Sequence, residues 1–254
     1  MDLYKWEDFN NPKIILLRRK FKLSNVISSG KSELEKQCLL KDWINRKLVS
    51  GTPTKDYSGK SAFEILKDAN EGKKMWCTQF AFAFLQCGIA LGWYVRKIGI
   101  DSDHKQKEEM HHGIVDIWSS QLKKWYVIDP LNNLHFEKNN IPLNVLEIRE
   151  ELLENGGINV KGIIGNKEKV VFYDKNSRGF NTPSNYYWFF ISLRNNFMKK
   201  PGLYDTKTLL WVDKYNKNKV WYKGGGSKGK PHKHPMYKFQ FIKTGDKNLC
   251  FPKM

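Results

Sequence analysis

Met75–Gly92 reads MWCTQFAFAFLQCGIALG, and its periodicity decides what the rest of the chain can be. Phe80, Phe84, Cys87 and Leu91 recur at helical spacing, with Ala81, Leu85 and Gly88 beside them; Thr78, Gln79 and Gln86 are the polar positions. A helix that is apolar almost all round must be covered by other elements. Cys77 falls in its first turn, where amides without intrahelical acceptors and the positive end of the helix dipole favour a thiolate over a thiol. The stretch therefore predicts a buried central helix with a reactive cysteine at its start.

Working outward, Ser32 and Glu35 have capping-box spacing ahead of the stripe Leu34, Leu40, Trp43, Ile44 and Leu48, which predicts a helix over 32–49 with Cys38 as a small core residue. The turn-rich GTPTKDYSG of 51–59 leads to a second pair, Ser61 and Glu64, and a shorter helix broken at Glu71-Gly72. Residues 1–31 fit a strand as well as a short helix. Gly88 and Gly92 help to close the central helix, after which WYVRKIG at 93–99 alternates like a strand and 101–110 is a polar surface loop. His111–Trp118 (HHGIVDIW) and Lys124–Pro130 (KWYVIDP) then form an antiparallel hairpin. With Trp118 facing Lys123 or Lys124, His112 comes level with Asp129 or one residue from it. LNVLEIREELLENGG is a helix stopped by Gly156-Gly157.

Beyond it, segments 158–174, 186–194, 208–222 and 236–242 are short, aromatic and strand-like, and GGGSKGKPHKHP at 224–235 is a flexible loop. The fold class is α+β, with a core over 1–157 and a β-rich aromatic extension over 158–254 packed on it.

The 254 residues are 40% hydrophobic, enough for a proper core. The apolar run around Phe80–Ala90 is too short to span a membrane, and MDLYKWEDFNN lacks a signal-peptide pattern, so a cytoplasmic protein is expected. Lys and Arg total 44 against 26 Asp and Glu, a net charge of +18 that would suit an anionic partner. The lysines are scattered and no nucleic-acid-binding motif accompanies them, so a lysine-rich composition is the simpler account. Cysteines at 38, 77, 87 and 250 lack CxxC pairing and are expected as reduced thiols.

Cys77, His112 and Asp129 are what thiol acyl transfer needs: a nucleophile, a base that later protonates the leaving group, and a carboxylate that orients the base. The competing readings are a structural Cys77, His111 in place of His112, and Asp129 as a turn cap before Pro130. Cys87 belongs to the core, and Asp116 is placed to pair with Arg96 or Lys97. The Cys77 amide and Gln79 are candidates for an oxyanion hole, and Trp76 for that hole or the wall of an acyl groove. Cys77 and Cys87 stand ten apart, and adjacent histidines on a strand point to opposite faces, so no metal site is expected. Neither a calcium loop nor a phosphate-cradling motif is present, and no cofactor is expected.

At these residues the chain resembles the transglutaminase-like superfamily of papain-related cysteine enzymes. WCTQFAFAFLQCGIALGWYVRKIG is similar to the family's Cys-x-x-x-Ala helix and the strand after it, in which an arginine commonly appears, here Arg96. HHGIVDIW resembles its His-x-x-x-acidic-apolar strand, through His112 and Asp116, and KKWYVIDP its Trp-x-x-x-Asp-Pro strand, through Trp125, Asp129 and Pro130. The resemblance covers roughly residues 32–150. It implies a nucleophile on a central helix packed against an antiparallel sheet, and acyl transfer on a peptide or protein amide through a thioester resolved by an amine or by water. Family members crosslink, deamidate, hydrolyse peptides or are inactive, so fold membership alone does not choose among these. The opposing reading is an idle module that holds a polysaccharide or peptide on aromatic strands bearing Trp188, Trp211 and Trp221.

Overall fold

A computed structural model describes residues 3–57, 60–102, 111–157, 159–165, 167–171, 183–198, 207–219 and 240–254. Of the polar surface loop expected at 101–110, Asp101 instead ends a sheet strand and is buried, as is Ser102; the remainder, 103–110, and the flexible loop at 224–235 lie outside the described residues. Residues 1–31 carry two helices, α1 (Pro12–Lys20) and α2 (Leu23–Val26), where the sequence left strand and helix open. Pro12 sits in the first turn of α1 behind the Asn11 cap, whose side chain accepts from the Lys13 amide at 3.0 Å. Helix α3 (Glu33–Lys47) starts at the Ser32 capping box, with the Glu35 amide donating to Ser32 Oγ at 3.2 Å. After the short strand β1 (Val49–Ser50), α4 (Ala62–Asn70) begins where Glu64 reaches back to the Ser61 amide at 2.9 Å. The strand β2 (Lys74–Met75) pairs with β1 and delivers the chain to α5 (Cys77–Ala90).

Helix α5 is buried over Gln79–Ala90, as its all-round apolar pattern requires. Its closest approach to the sheet depends on Gly88, which lies inside the helix rather than closing it. A Cβ built there would stand 2.7 Å from Val95 Cγ2. Gly92, at φ +88°, makes the left-handed exit.

The sheet strands that position the site are β3 (Val95–Asp101), β4 (His111–Ser119), β5 (Lys124–Asp129) and β6 (Leu134–Lys138). The small strand β7 (Ile141–Pro142) pairs with β6, and β8 (Lys161–Ile164) and β9 (Lys167–Val171) extend that side. Strands β8 and β9 fall in the strand-like segment expected over 158–174. On the other side stand β10 (Trp188–Ser192), β11 (Lys207–Trp211) and β12 (Gln240–Thr244), giving the order β12-β11-β10-β3-β4-β5-β6-β8-β9. Each of these pairings is antiparallel except β11 with β12. Helices α1, α3, α4 and α5 cover one face over Val95, Val115, Ile117, Tyr126 and Ile128. The other face, with Ile98, Ile100, Ile114 and Val127, is covered by α6 (Val145–Asn155) and by residues up to Cys250 of the terminal helix α7 (Lys247–Cys250). The molecule is an α+β fold on one predominantly antiparallel sheet, with the cysteine-bearing helix packed against it.

Asp116 takes Arg96, not Lys97, as its partner: the two are fully buried, 2.8 Å apart, on the face away from α5. The guanidinium also donates to Tyr4 Oη at 2.9 Å and lies 4.2 Å from the Trp125 ring centroid. A buried pair of this kind is costly to break from one side, because the remaining charge keeps its desolvation penalty. Arg96→Met is therefore expected to cost about 3–5 kcal/mol in urea unfolding. Arg96→Met combined with Asp116→Asn should recover part of that loss, and an additive double mutant would count against the pair.

Candidate active site

The ladder between β4 and β5 runs from Ser119–Lys124 to Val115–Ile128 and stops there. Trp118 faces Trp125, so the register differs from the sequence expectation: Asp129 falls level with Ile114, and His112 lies one diagonal step further on. The register shifts because the pairing runs one step further into the turn, Ser119 with Lys124, so that six residues rather than four or five separate Trp118 from its partner, with Lys123 taking φ 52° just before β5. Beyond the end of the ladder Asp129 pairs with Leu134 of β6, while His112 stays with Ile100 of β3. His112 and Asp129 share a face and meet diagonally, Nε2 to Oδ2, at 2.7 Å.

The start of α5 sits at this parting. The Gly113 amide, past the last β4–β5 pair, donates to Cys77 Sγ at 3.4 Å. A Cβ on Gly113 would meet Thr78 Oγ1 at 3.4 Å, so β4 passes close under the first turn of the helix. Nε2 of His112 is engaged with Asp129, so Nδ1 is the ring nitrogen left to exchange a proton with Cys77, whose sulfur acts electrostatically on the imidazole. The structure thus brings together the three residues singled out in the sequence.

Burial raises the Cys77 thiol, but the His112 hydrogen bond and charge, the His111 charge and the Gly113 amide outweigh it and leave the thiol well below its usual range. Burial lowers His112, and the Asp129 carboxylate with the Cys77 sulfur overcomes it, holding the imidazole well above its usual range. Asp129 is raised by burial and lowered more by His112 and Asn132, for a net depression. The two shifts act in the same sense, the lowered thiol and the raised imidazole each favouring a thiolate–imidazolium pair over the neutral one.

Asn132 escaped sequence reasoning. Its Nδ2 donates to Asp129 Oδ2 at 2.7 Å, and its amide and that of Leu131 donate to Oδ1, each at 3.1 Å. Asp129 caps the turn after Pro130 and holds His112 at once. The signal was the DPLNN run, which reads as an Asx turn.

Trp76, the N-cap residue, is 56% exposed beside the cysteine. Gln79 is buried, and its Oε1 accepts the Trp76 amide at 3.1 Å, which fixes the helix start. The Cys77 and Thr78 amides precede the intrahelical ladder and are free to meet an oxyanion. His111 turns to the α5 face, where its Nδ1 meets Asp101 Oδ1 at 2.6 Å and its ring stacks on Phe190 at 5.9 Å between centroids.

A second cysteine–histidine–carboxylate set lies behind α3. Cys38 Sγ is 3.9 Å from His135 Nδ1, and His135 Nε2 is 3.0 Å from Glu137 Oε1. Cys38 is therefore more than the small core residue expected. Lys41 Nζ donates to the same Nδ1 at 3.1 Å, however, so that nitrogen is occupied, and Cys38 is buried. Burial raises the Cys87 thiol and holds Cys250 up to about 12. Cys77 is the part-exposed cysteine of the four.

Among the described residues no group of three or more His, Cys, Asp or Glu side chains is arranged to hold a metal, and no helix is long and apolar enough to cross a membrane.

No family model matches the chain, and no curated protein matches it. Among solved structures it is similar to a candidate cysteine protease from Cytophaga hutchinsonii, at 17% identity and TM-score 0.37 over 46% of this chain and 37% of that one. The chain thus spans little more than a third of that protein. It is also similar to Legionella pneumophila LapG: the calcium-bound form gives 14% identity and TM-score 0.35 over 66% of this chain and 92% of that one. The EGTA-treated form gives 16% and 0.34 over 59% and 78%. Each likeness is partial, with a TM-score below one half.

Proposed function

We propose that the protein is a thiol acyltransferase or amidohydrolase of the transglutaminase-like type, acting on a peptide or protein amide through a thioester on Cys77. The observation that carries this reading is the line from part-exposed Cys77 through buried His112 to buried Asp129. Sγ attacks the amide carbonyl, a C–S bond forms, and the carbonyl π pair moves to oxygen beside the first-turn amides. Collapse expels the amine, which takes the proton from His112 Nδ1. Water or a second amine then resolves the thioester, with His112 as its base and Asp129 steadying the ring. The reading as an idle sugar-binding module loses its support at two rings, since Trp188 and Trp211 are 1% and 4% exposed and belong to the core. Trp221 lies outside the described residues.

Mass-resolved alkylation with iodoacetamide across pH tests this. Relative speed alone does not discriminate, because Cys38, Cys87 and Cys250 are slow by burial. The midpoint does: Cys77 should titrate at least one pH unit below the ~8.5 of a free cysteine. His112→Ala should return it toward that value. A wild-type midpoint near 8.5 would remove the basis for a poised nucleophile. Peptide amides supplied with and without a primary amine then separate hydrolysis from transfer.

A further inference from the structure

Lys97 is a buried cation that neither the fold nor the triad uses. It pairs with Val115 on β3, and alternation puts it on the α5 face between Val95 and Gly99. The two ends of this interval are fixed by contact: Val95 meets the Gly88 position, and Gly113, opposite Gly99, meets Thr78. Helix α5 therefore runs along β3 with its cysteine end toward Gly99, and the Lys97 stem is trapped beneath it. The residue is 7% exposed. Among the described residues no carboxylate pairs with it, while its neighbour Arg96 faces away to Asp116. Such a group is expensive to hold as a cation unless a nearby anion compensates.

Around Lys97, helix α5 brings Cys77 and the protonated Cys87. Strand β4 brings His111, tied to Asp101, on the α5 face, while His112, tied to Asp129, and Asp116, tied to Arg96, alternate to the other face, His112 at the strand end beside Cys77. Strand β10 has no titratable side chain, and Tyr186 before it packs in the far-face core. Cys77 is thus the anion left for Lys97. With the Asp101–His111 pair set apart, thiolate, imidazolium and Asp129 carboxylate sum to one negative charge, which the ammonium offsets.

We propose that Lys97 is an electrostatic residue of the Cys77 site, adding to the hold that His112, His111 and the Gly113 amide have on the thiolate and balancing the charge as it passes from sulfur to the substrate oxygen. This rests on reading Cys77 as the nucleophile. Burial lowers Lys97 to about 8, and the Cys77 charge is the influence that draws it back up. The ammonium is therefore complete below that pH and lost above it, so acyl transfer should decline on the alkaline side near pH 8. In Lys97→Arg, whose guanidinium does not titrate in this range, that decline should disappear.

The test is the pH dependence of Cys77 alkylation in the full chain, wild type beside Lys97→Met and Lys97→Arg. The methionine variant should raise the midpoint by about one unit, roughly a tenfold loss of thiolate at pH 6, while arginine holds it near wild type. Coincident wild-type and methionine profiles would overturn the proposal. A wild-type midpoint like that of a free cysteine would instead overturn the nucleophile reading. Carbon-13 lysine NMR supplies a readout without substitution at Lys97. Its Cε titration should fall to lower pH in Cys77→Ala than in wild type, and an unchanged midpoint would also overturn the proposal.

Discussion

Cys77→Ala is expected to abolish amide turnover, by about 10³-fold or more, in a protein that melts close to wild type. The asymmetry follows from position. The substitution removes the one atom that can form the thioester, yet it deletes only a sulfur at a part-exposed helix start and a single 3.4 Å contact from Gly113. His112→Ala should approach the same loss, since the base that takes the thiol proton and returns it to the amine goes with it. Asp129→Asn should be milder, because the Leu131 and Asn132 backbone amides still hold the side-chain oxygen of residue 129, so the imidazole loses its acceptor at the Oδ2 position but the base itself remains. His111→Ala should stay within about tenfold of wild type, because its ring is held to Asp101 and contributes charge, not proton transfer. Turnover of a model peptide amide, measured alongside thermal melting, checks the order. Full turnover by folded Cys77→Ala would sink the assignment, and a larger loss for His111→Ala than for His112→Ala would move the base to the neighbouring residue.

Much of this site was legible because its residues lie on elements with strong local signatures. An apolar helix needs only its periodicity to be placed, and Ser32 with Glu35 marks a helix start through hydrogen bonds between near neighbours. Register was not legible in the same way. The left-handed Lys123 ends a turn that Ser119 and Lys124 close, which makes Trp125 the partner of Trp118 and brings Asp129 level with Ile114. The sequence offers Lys97 only as a partner for Asp116, and Asn132 not at all, for a related reason. A lysine in an alternating strand looks like a solvated residue until a helix is laid across it, and an asparagine after Asp-Pro looks like ordinary turn chemistry. Gly88 showed the opposite error: a glycine near a helix end suggests a stop, but here it lets α5 approach Val95. The Cys38–His135–Glu137 set joins α3 to β6, and no local pattern announces a contact between elements so far apart.

The extension beyond Gly157 is proposed to be part of the same folding unit, and the expected result of removing it is loss of the fold. Strand β10 hydrogen-bonds to β3 from Trp188–Asp101 to Ile191–Ile98, on the side opposite β4. Truncation would leave β3 as an unprotected edge and strip Phe189, Ile191, Leu209 and Trp211 from the core around Ile98 and Ile100. Each such side chain contributes about 1.5–3 kcal/mol by burial, so the four together rival the ~5–15 kcal/mol that holds a whole domain. Polar debts add to this. Fully buried Arg149 would lose the Tyr187 carbonyl at 2.7 Å and the Asp213 carboxylate at 2.5 Å, and Trp125 Nε1 would lose the Pro252 carbonyl at 2.7 Å. A chain ending at Gly157 should therefore aggregate or show no cooperative urea transition. Its Cys77 should lose the low alkylation midpoint, because the strands that hold His112 and Asp129 no longer share a fixed sheet. A truncated chain that stays soluble, unfolds cooperatively and keeps the wild-type Cys77 profile would show instead that residues 158–254 are an independent module.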